Sequence, residues 1–232
     1  MRLLIAPDSF KGSLTSVEVA GALATGWLRA RPDDEVALAP LADGGEGTLV
    51  AVEASGGWTW REAEAHDPLG RTILARWLAR DDGGAAFVEM ATASGLSLVA
   101  ANERDASGAT SRGTGDVLRA VLDAGIREIA LGIGGSATTD GGAGLLRALG
   151  ATVSDDLATV DLGGLDPRLA ETRLRIACDV TNPLLGERGA AATYGPQKGA
   201  TPADVPVLDR RLAGFADALE SATGRQIGRA HV

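Results

Sequence analysis

Apolar residues cluster in four short runs: Arg2 to Ala6 (RLLIA), Glu35 to Pro40 (EVALAP), Ile126 to Ile133 and Leu174 to Ala177. Each reads as a strand, and the first, ending at Pro7 and Asp8, is consistent with a buried parallel strand. Helical spacing separates them. Val17, Ala20, Ala24, Trp27 and Leu28 recur at helical intervals up to Pro32, and Thr15 with Glu18 has the capping-box spacing that opens such a helix. Helical runs are also expected over Leu49 to Ala54, Asp116 to Ala124 and Ala143 to Leu149. Between Arg61 and Met90 the rhythm changes: segments near Glu62 to Ala65, Thr72 to Ala79 and Ala85 to Met90 are separated by DPLGR and DDGG. Those are hairpin-type turns, which predict a partly antiparallel sheet and a domain boundary near residue 60.

Composition narrows the function. A net charge of −9 with no basic run argues against nucleic-acid binding, which needs clustered Lys and Arg. No apolar segment approaches a membrane span and the first residues lack a signal-peptide pattern, so a cytoplasmic protein is expected, with no membrane partner. The one cysteine, Cys178, excludes an internal disulfide and reads as a small hydrophobe, because no histidine is available to activate it. The two histidines make a dedicated zinc site improbable, and His66, beside Asp67 and Pro68, reads as a turn cap. Lysine usage is more informative. Of 22 basic residues only Lys11 (DSFKG) and Lys198 (GPQKG) are lysine, and both precede glycine. A compact ammonium kept at two loop positions suggests point-charge contact with phosphate.

The chemistry gathers at the ends of the expected strands. Gly132 to Gly144 (GIGGSATTDGGAG) reads as a strand end, a glycine-dense loop and a helix start. Backbone amides at Gly134, Gly135, Gly141 and Gly142 could converge on an anion, with Ser136, Thr138, Thr139 and Asp140 beside them. The same glycines could instead serve tight packing of helix on sheet. Asp8, Ser9 and Lys11 follow the first strand; Asp43 and Glu46, in ADGGEGT, follow the second. Carboxylates on such a turn suit a metal or a transferring proton, or merely a charged turn. Arg112 sits at a helix start where it could hold a carboxylate or phosphate, and Asp179 and Asn182 follow the last strand.

Standard signatures fail: there is no GxxxxGK[ST] loop, no protein-kinase set and no GxSxG elbow. Gly132, Gly134 and Ala137, with Asp155 and Asp156 some way on, give a G-x-G-x-x-A pattern, which keeps an NAD-dependent oxidoreductase open as an alternative. A non-catalytic anion-binding module is a second. Taken together and in order, however, APDSFKGS, ADGGEGT, DPLG, EMATASGL, ATSRGTG, GIGGSATTDGGAG, ACDVTNPL and GPQKGA resemble the motif series of the bacterial glycerate kinases, from Met1 to about Gly224.

That resemblance implies ATP- and magnesium-dependent phosphorylation of D-glycerate by a two-domain α/β protein, a flavodoxin-like parallel-sheet domain interrupted by an inserted mixed α/β domain. Residues 1–60 would be the first part of the former and residues 61–226 the insertion. On this reading Lys11 and Lys198 contact phosphates, as does the backbone of Gly134, Gly135, Asp140 and Gly141. Asp43 or Asp179 takes the hydroxyl proton or serves magnesium, with Glu46 a second metal candidate. Arg112 holds the glycerate carboxylate, and Asp8, Ser9, Ser136 and Thr138 contact substrate. Whether the 2- or the 3-hydroxyl is phosphorylated, and the oligomeric state, are left open.

Two departures accompany the resemblance. The stretch from Val153 to Leu165 is shorter than the family pattern, and the family continues into a further segment that would complete the first domain. IGRAHV, from Ile227, resembles a translated sequencing adapter, so residues 227–232 are expected to be non-native and the chain as written to have little or no activity. Lys11→Ala in an intact relative is expected to slow phosphoryl transfer by orders of magnitude, read from single-turnover rates; near-normal turnover would remove it from the site.

Overall fold

The computed structural model describes residues 1–10 and 12–227; Lys11 and residues 228–232, with His231, lie outside the described residues. β1 (Arg2–Ile5), α1 (Ser16–Ala30) and β2 (Glu35–Leu38) form a βαβ unit whose strands pair in parallel, Ile5 opposite Leu38. The capping box forms as its spacing predicts: Thr15 Oγ1 accepts the Glu18 amide at 3.2 Å, and the Glu18 carboxylate accepts the Thr15 amide at 2.8 Å. The chain then passes through the acidic loop into α2 (Thr48–Ala54).

β3 (Trp58–His66), β4 (Thr72–Arg80) and β5 (Ala86–Glu89) pair antiparallel through the DPLG and DDGG turns. After α3 (Ala91–Ser94) and α4 (Arg112–Asp123), β6 (Glu128–Gly132) pairs parallel with β5. A helix α5 (Ala143–Ala148) and a small hairpin of β7 (Thr152–Val153) and β8 (Val160–Asp161) precede β9 (Arg173–Ala177). β9 joins β6 in parallel and completes a five-stranded mixed sheet of order β3-β4-β5-β6-β9. The chain ends in α6 (Ala190–Tyr194) and α7 (Val205–Thr223). The protein is thus a mixed α/β fold, with β1 and β2 in a separate two-stranded parallel sheet. No helix among the described residues is long and apolar enough to cross a membrane.

The core explains which strands are stable. Ala63, Ala65, Ala75 and Trp77 on β3 and β4, with Val88, Ile129 and Leu131 further across the sheet, pack with Val117, Leu118, Val121 and Leu122 of α4 in one buried cluster. Burial at 25 cal/mol per Å² of apolar surface makes such a cluster the main stabilising term. α4 starts at Arg112 instead of the expected Asp116: Gly113 and Gly115 weaken its intrinsic propensity, but burial of Thr114 and its bond to Ser94 extend the helix. α7 has no counterpart in the sequence reading, although Leu208, Leu212 and Phe215 carry a helical spacing; all three are buried.

One contact sets the relation of the two sheets. Gly44, held at φ 91°, brings its carbonyl against the end of β6, where the Gly134 amide donates to it at 3.1 Å. A Cβ on Gly132 would lie 2.5 Å from that carbonyl oxygen, and one on Gly44 would lie 2.7 Å from the Ala177 oxygen. Only bare backbone fits where three strand-end loops meet. Gly132→Ala is therefore expected to destabilise the fold by about 1–3 kcal/mol through overpacking. Gly26→Ala, in α1 with nothing within 4 Å, is expected to stabilise by about 0.5–1 kcal/mol. Urea denaturation of both variants checks the contrast.

Candidate active site

A cleft of about 550 Å³ opens where the loops after β1, β2, β6 and β9 converge. The carboxyl ends of parallel strands are where open α/β sheets hold ligands, because several loops can face one point there. Asp8 and Ser9 come from the loop after β1, Asp43 and Glu46 from the loop after β2, Gly134, Gly135 and Ser136 from the loop after β6, and Asp179 from the loop after β9. Lys198 enters from the turn after α6. Lys11 lies outside the described residues, while its neighbours Phe10 and Gly12 line the cleft.

Lys198 is 1% exposed. Its ammonium donates to Ser136 Oγ at 2.8 Å and to the Thr138 carbonyl at 2.5 Å, so two of its three N–H donors tie the GPQKG turn to the glycine-rich loop. Burial pushes its pKa down to about 8, while the charge of Asp140 acts in the opposite direction.

The carboxylates behave differently from one another. Asp43 Oδ1 accepts the Gly45 amide at 2.9 Å, which curls the acidic loop. Asp8 accepts the Ser9 amide at 2.6 Å. Glu18, also on the cleft wall, is committed to the capping box, and its hydrogen bonds to Thr15 hold its pKa below the usual value. Tyr194, on the wall beside Cys178 and Asp179, donates its hydroxyl to Asn182 Oδ1 at 2.7 Å; burial raises its pKa. Asp8, Glu18, Asp43, Glu46 and Asp179 face a cleft in which Lys198 is the only lining cation among the described residues.

The glycine-rich loop has two faces. Gly134, Gly135 and Ser136 line the cleft, whereas Thr138, Asp140, Gly141 and Gly142 line a second, mostly apolar cavity of about 310 Å³ that Ser136 also borders. The Asp140 carboxylate accepts four hydrogen bonds, from the Ser111 amide and hydroxyl and from the Gly142 and Gly144 amides, at 2.8–3.0 Å. It joins the starts of α4 and α5, which saturates it with partners inside the fold.

Arg112 is also outside the cleft. Its side chain is about half exposed, with Nε 4.0 Å from Asp116. His66 Nδ1 lies 2.8 Å from the buried Asp116 carboxylate, across α4 instead of within its own turn. Asp155 and Asp156, the acids of the dinucleotide-type spacing, sit on the exposed β7–β8 hairpin and do not line the cleft.

Glu89 lies in EMATASGL, where no local pattern marks it as a site residue. Glu89 is 4% exposed and reaches the acidic loop, accepting the Gly47 amide at 3.2 Å and the Leu49 amide at 3.0 Å. Burial raises its pKa, with the neighbouring Glu46 acting in the same direction. A carboxylate at the end of an apolar strand is visible locally; its partner 40 residues away is not.

Comparison with known proteins identifies the family. A model of the glycerate kinase family matches residues 3–231. Glycerate 2-kinase of Escherichia coli is 45% identical over 96% of the chain and 62% of its own length. Glycerate kinase of Bacillus subtilis is 43% identical over 97% of the chain and 62% of its own length. The crystal structure of a candidate glycerate kinase 2 from Salmonella typhimurium superposes with a TM-score of 0.86 at 42% identity, covering 98% of the chain and 64% of that structure. The chain therefore spans somewhat under two thirds of the length of the relatives it matches.

Because the folded pKa of Lys198 lies below that of an unfolded lysine, the native state sheds this proton first. Its contribution to stability consequently rises with pH from about 8 toward the usual lysine value, while the positive charge it brings to the cleft wall falls over the same window. Pyrophosphate affinity, measured by calorimetry from pH 7 to 9.5, is expected to drop in the native protein. In Lys198→Met it should be weak and lack the Lys198 step.

Proposed function

The chain belongs to the glycerate kinase family, and from that premise we propose that its cleft binds ATP with magnesium and transfers the terminal phosphoryl group to a hydroxyl of D-glycerate. The observation that carries this reading is the charge balance of the cleft. Five carboxylates and one described ammonium face a space of about 550 Å³, within the range of small-ligand pockets. A polyphosphate enters so acidic a cleft more favourably with a divalent cation between it and the carboxylates, because the cation offsets their repulsion. The donor set suits magnesium, which takes one or two protein carboxylates and completes its shell with phosphate oxygens and water.

Asp43 and Glu46 are the residues proposed to hold that ion, whose chemistry would be to neutralise charge on the phosphate oxygens. The Gly134 and Gly135 backbone and the Lys198 ammonium contact the phosphates; a protonated, water-excluded ammonium is worth more there than a solvated one. Asp179 or Asp43 accepts the proton of the attacking hydroxyl, and Asp8, Ser9 and Ser136 orient glycerate through its hydroxyls and carboxylate. Lys11 keeps its proposed phosphate role, adjoining two wall residues. Arg112 does not line the cleft, and Thr138, Asp140 and Gly141 line the neighbouring cavity, so their part is to shape the loop.

The two-domain division is part of the same proposal. β1 and β2 belong to the flavodoxin-like unit, the five-stranded sheet belongs to the insertion, and the cleft lies between them.

The test combines the full-length gene product with ATP, magnesium and D-glycerate and follows ADP by a coupled assay, with NADH fluorescence as a parallel binding probe. ADP release that requires glycerate, with no NADH binding, is expected. Saturable NADH binding without ADP release would overturn the assignment.

A further inference from the structure

α2 begins without a cap of its own. Its N-cap, Gly47, is in the left-handed region at φ 93° and has no side chain to accept the amides of the first turn. Glu89, at the end of β5, supplies the missing acceptor from another element: one carboxylate oxygen takes the Gly47 amide and the other the Leu49 amide. The carboxylate is buried, and its charged neighbour is Glu46, of the same sign. Burying a carboxylate that has no cation partner among the described residues is costly unless hydrogen bonds and the positive end of a helix compensate it, which is the arrangement here.

The other end of the acidic loop is held at Gly44, whose carbonyl accepts the Gly134 amide from the loop after β6. β5 and β6 are parallel neighbours, with Glu89 opposite Gly132 in register. The loop is thus pinned at Gly44 and Gly47 from two adjacent strand ends. Only Gly45 and Glu46 lie between the pins, and Asp43 lies immediately before them.

We propose that Glu89 is a positioning residue of the phosphoryl-transfer site, holding the acidic loop so that Asp43 and Glu46 present their carboxylates to the nucleotide-bound cation. The proposal rests on the kinase reading of the cleft. Glu89 itself touches neither nucleotide nor glycerate; it acts through the loop.

Glu89→Gln and Glu89→Ala in the full chain test it. Gln keeps the volume but offers one acceptor oxygen in place of two, so it probes the double bond to the loop without opening a cavity. Hydrogen exchange at the Gly47 and Leu49 amides is expected to quicken by about tenfold or more in both variants, with the amides of β6 unchanged. The Kd for magnesium–ADP is expected to rise by about 10-fold, in the range found when a partner of a metal ligand is lost. The Kd for ADP in EDTA should move less than about twofold, because the loop acts through the cation.

Unchanged exchange at Gly47 and Leu49 would overturn the proposal. So would loosening that spreads through β6, or an equal loss of affinity for metal-free ADP, because either marks a general structural role. Failure of the native chain to bind magnesium–ADP would count against the kinase reading instead, and the exchange measurement would still decide whether Glu89 holds the loop.

Discussion

The carbonyl of Gly44 against the backbone of β6 is the contact on which the cleft depends. Three loops, after β2, β6 and β9, meet there at distances that exclude a Cβ on Gly44 or Gly132, and the Gly134 amide closes the contact with a hydrogen bond. Backbone packed on backbone leaves little room for sliding, because neither surface has a side chain that can change rotamer. The two-stranded sheet and the five-stranded sheet touch at this point, where the loops after β2, β6 and β9 that line the cleft meet. Glu89 and Lys198 add two buried charged links, one to the acidic loop and one to the glycine-rich loop.

Those links divide the work of a motif that looks uniform as a string. GIGGSATTDGGAG presents bare backbone to the cleft through Gly134 and Gly135, while Asp140 turns inward and clamps the starts of α4 and α5. Lys198 couples the halves by bonding both the Ser136 hydroxyl and the Thr138 carbonyl. An ammonium held this way has one donor left, directed by its fixed partners and not by its own flexible stem. That pre-organisation lowers the ordering cost of binding an anion. It also makes the charge of this lysine, depressed toward neutrality by burial, part of the structure as well as of the chemistry.

Much of the local structure was legible in the chain. The first helix opens on the Thr15–Glu18 box, the apolar runs near Leu3, Val36, Leu131 and Ile176 became strands, and DPLG and DDGG became antiparallel turns. The expected burial of the first run holds only at Ile5, because β1 pairs in a two-stranded sheet that leaves Leu4 exposed. The ordered motif series pointed to the family whose model matches the chain. These features were readable because they rest on interactions within a few residues: capping, pleat alternation and the φ demands of tight turns. The start of α4 and the whole of α7 were less so, since burial against distant elements outweighed weak local propensity at the first and sequence pattern alone was not carried to the second.

The chain by itself determined which residues could do chemistry: two lysines beside glycine, carboxylates on strand-end turns and a loop stripped of side chains. Composition and spacing decide that, because they fix which functional groups exist and which bends the backbone can take. Tertiary structure alone decided which of them share a cleft. Asp43, Glu46, Asp179 and Lys198 were brought to one cleft, Arg112 and Asp140 were left outside it, and Glu89 was recruited from 40 residues away to hold a helix start. Side chains separated by that much chain meet only when sheet register and backbone close approach have been settled, and no local pattern encodes either.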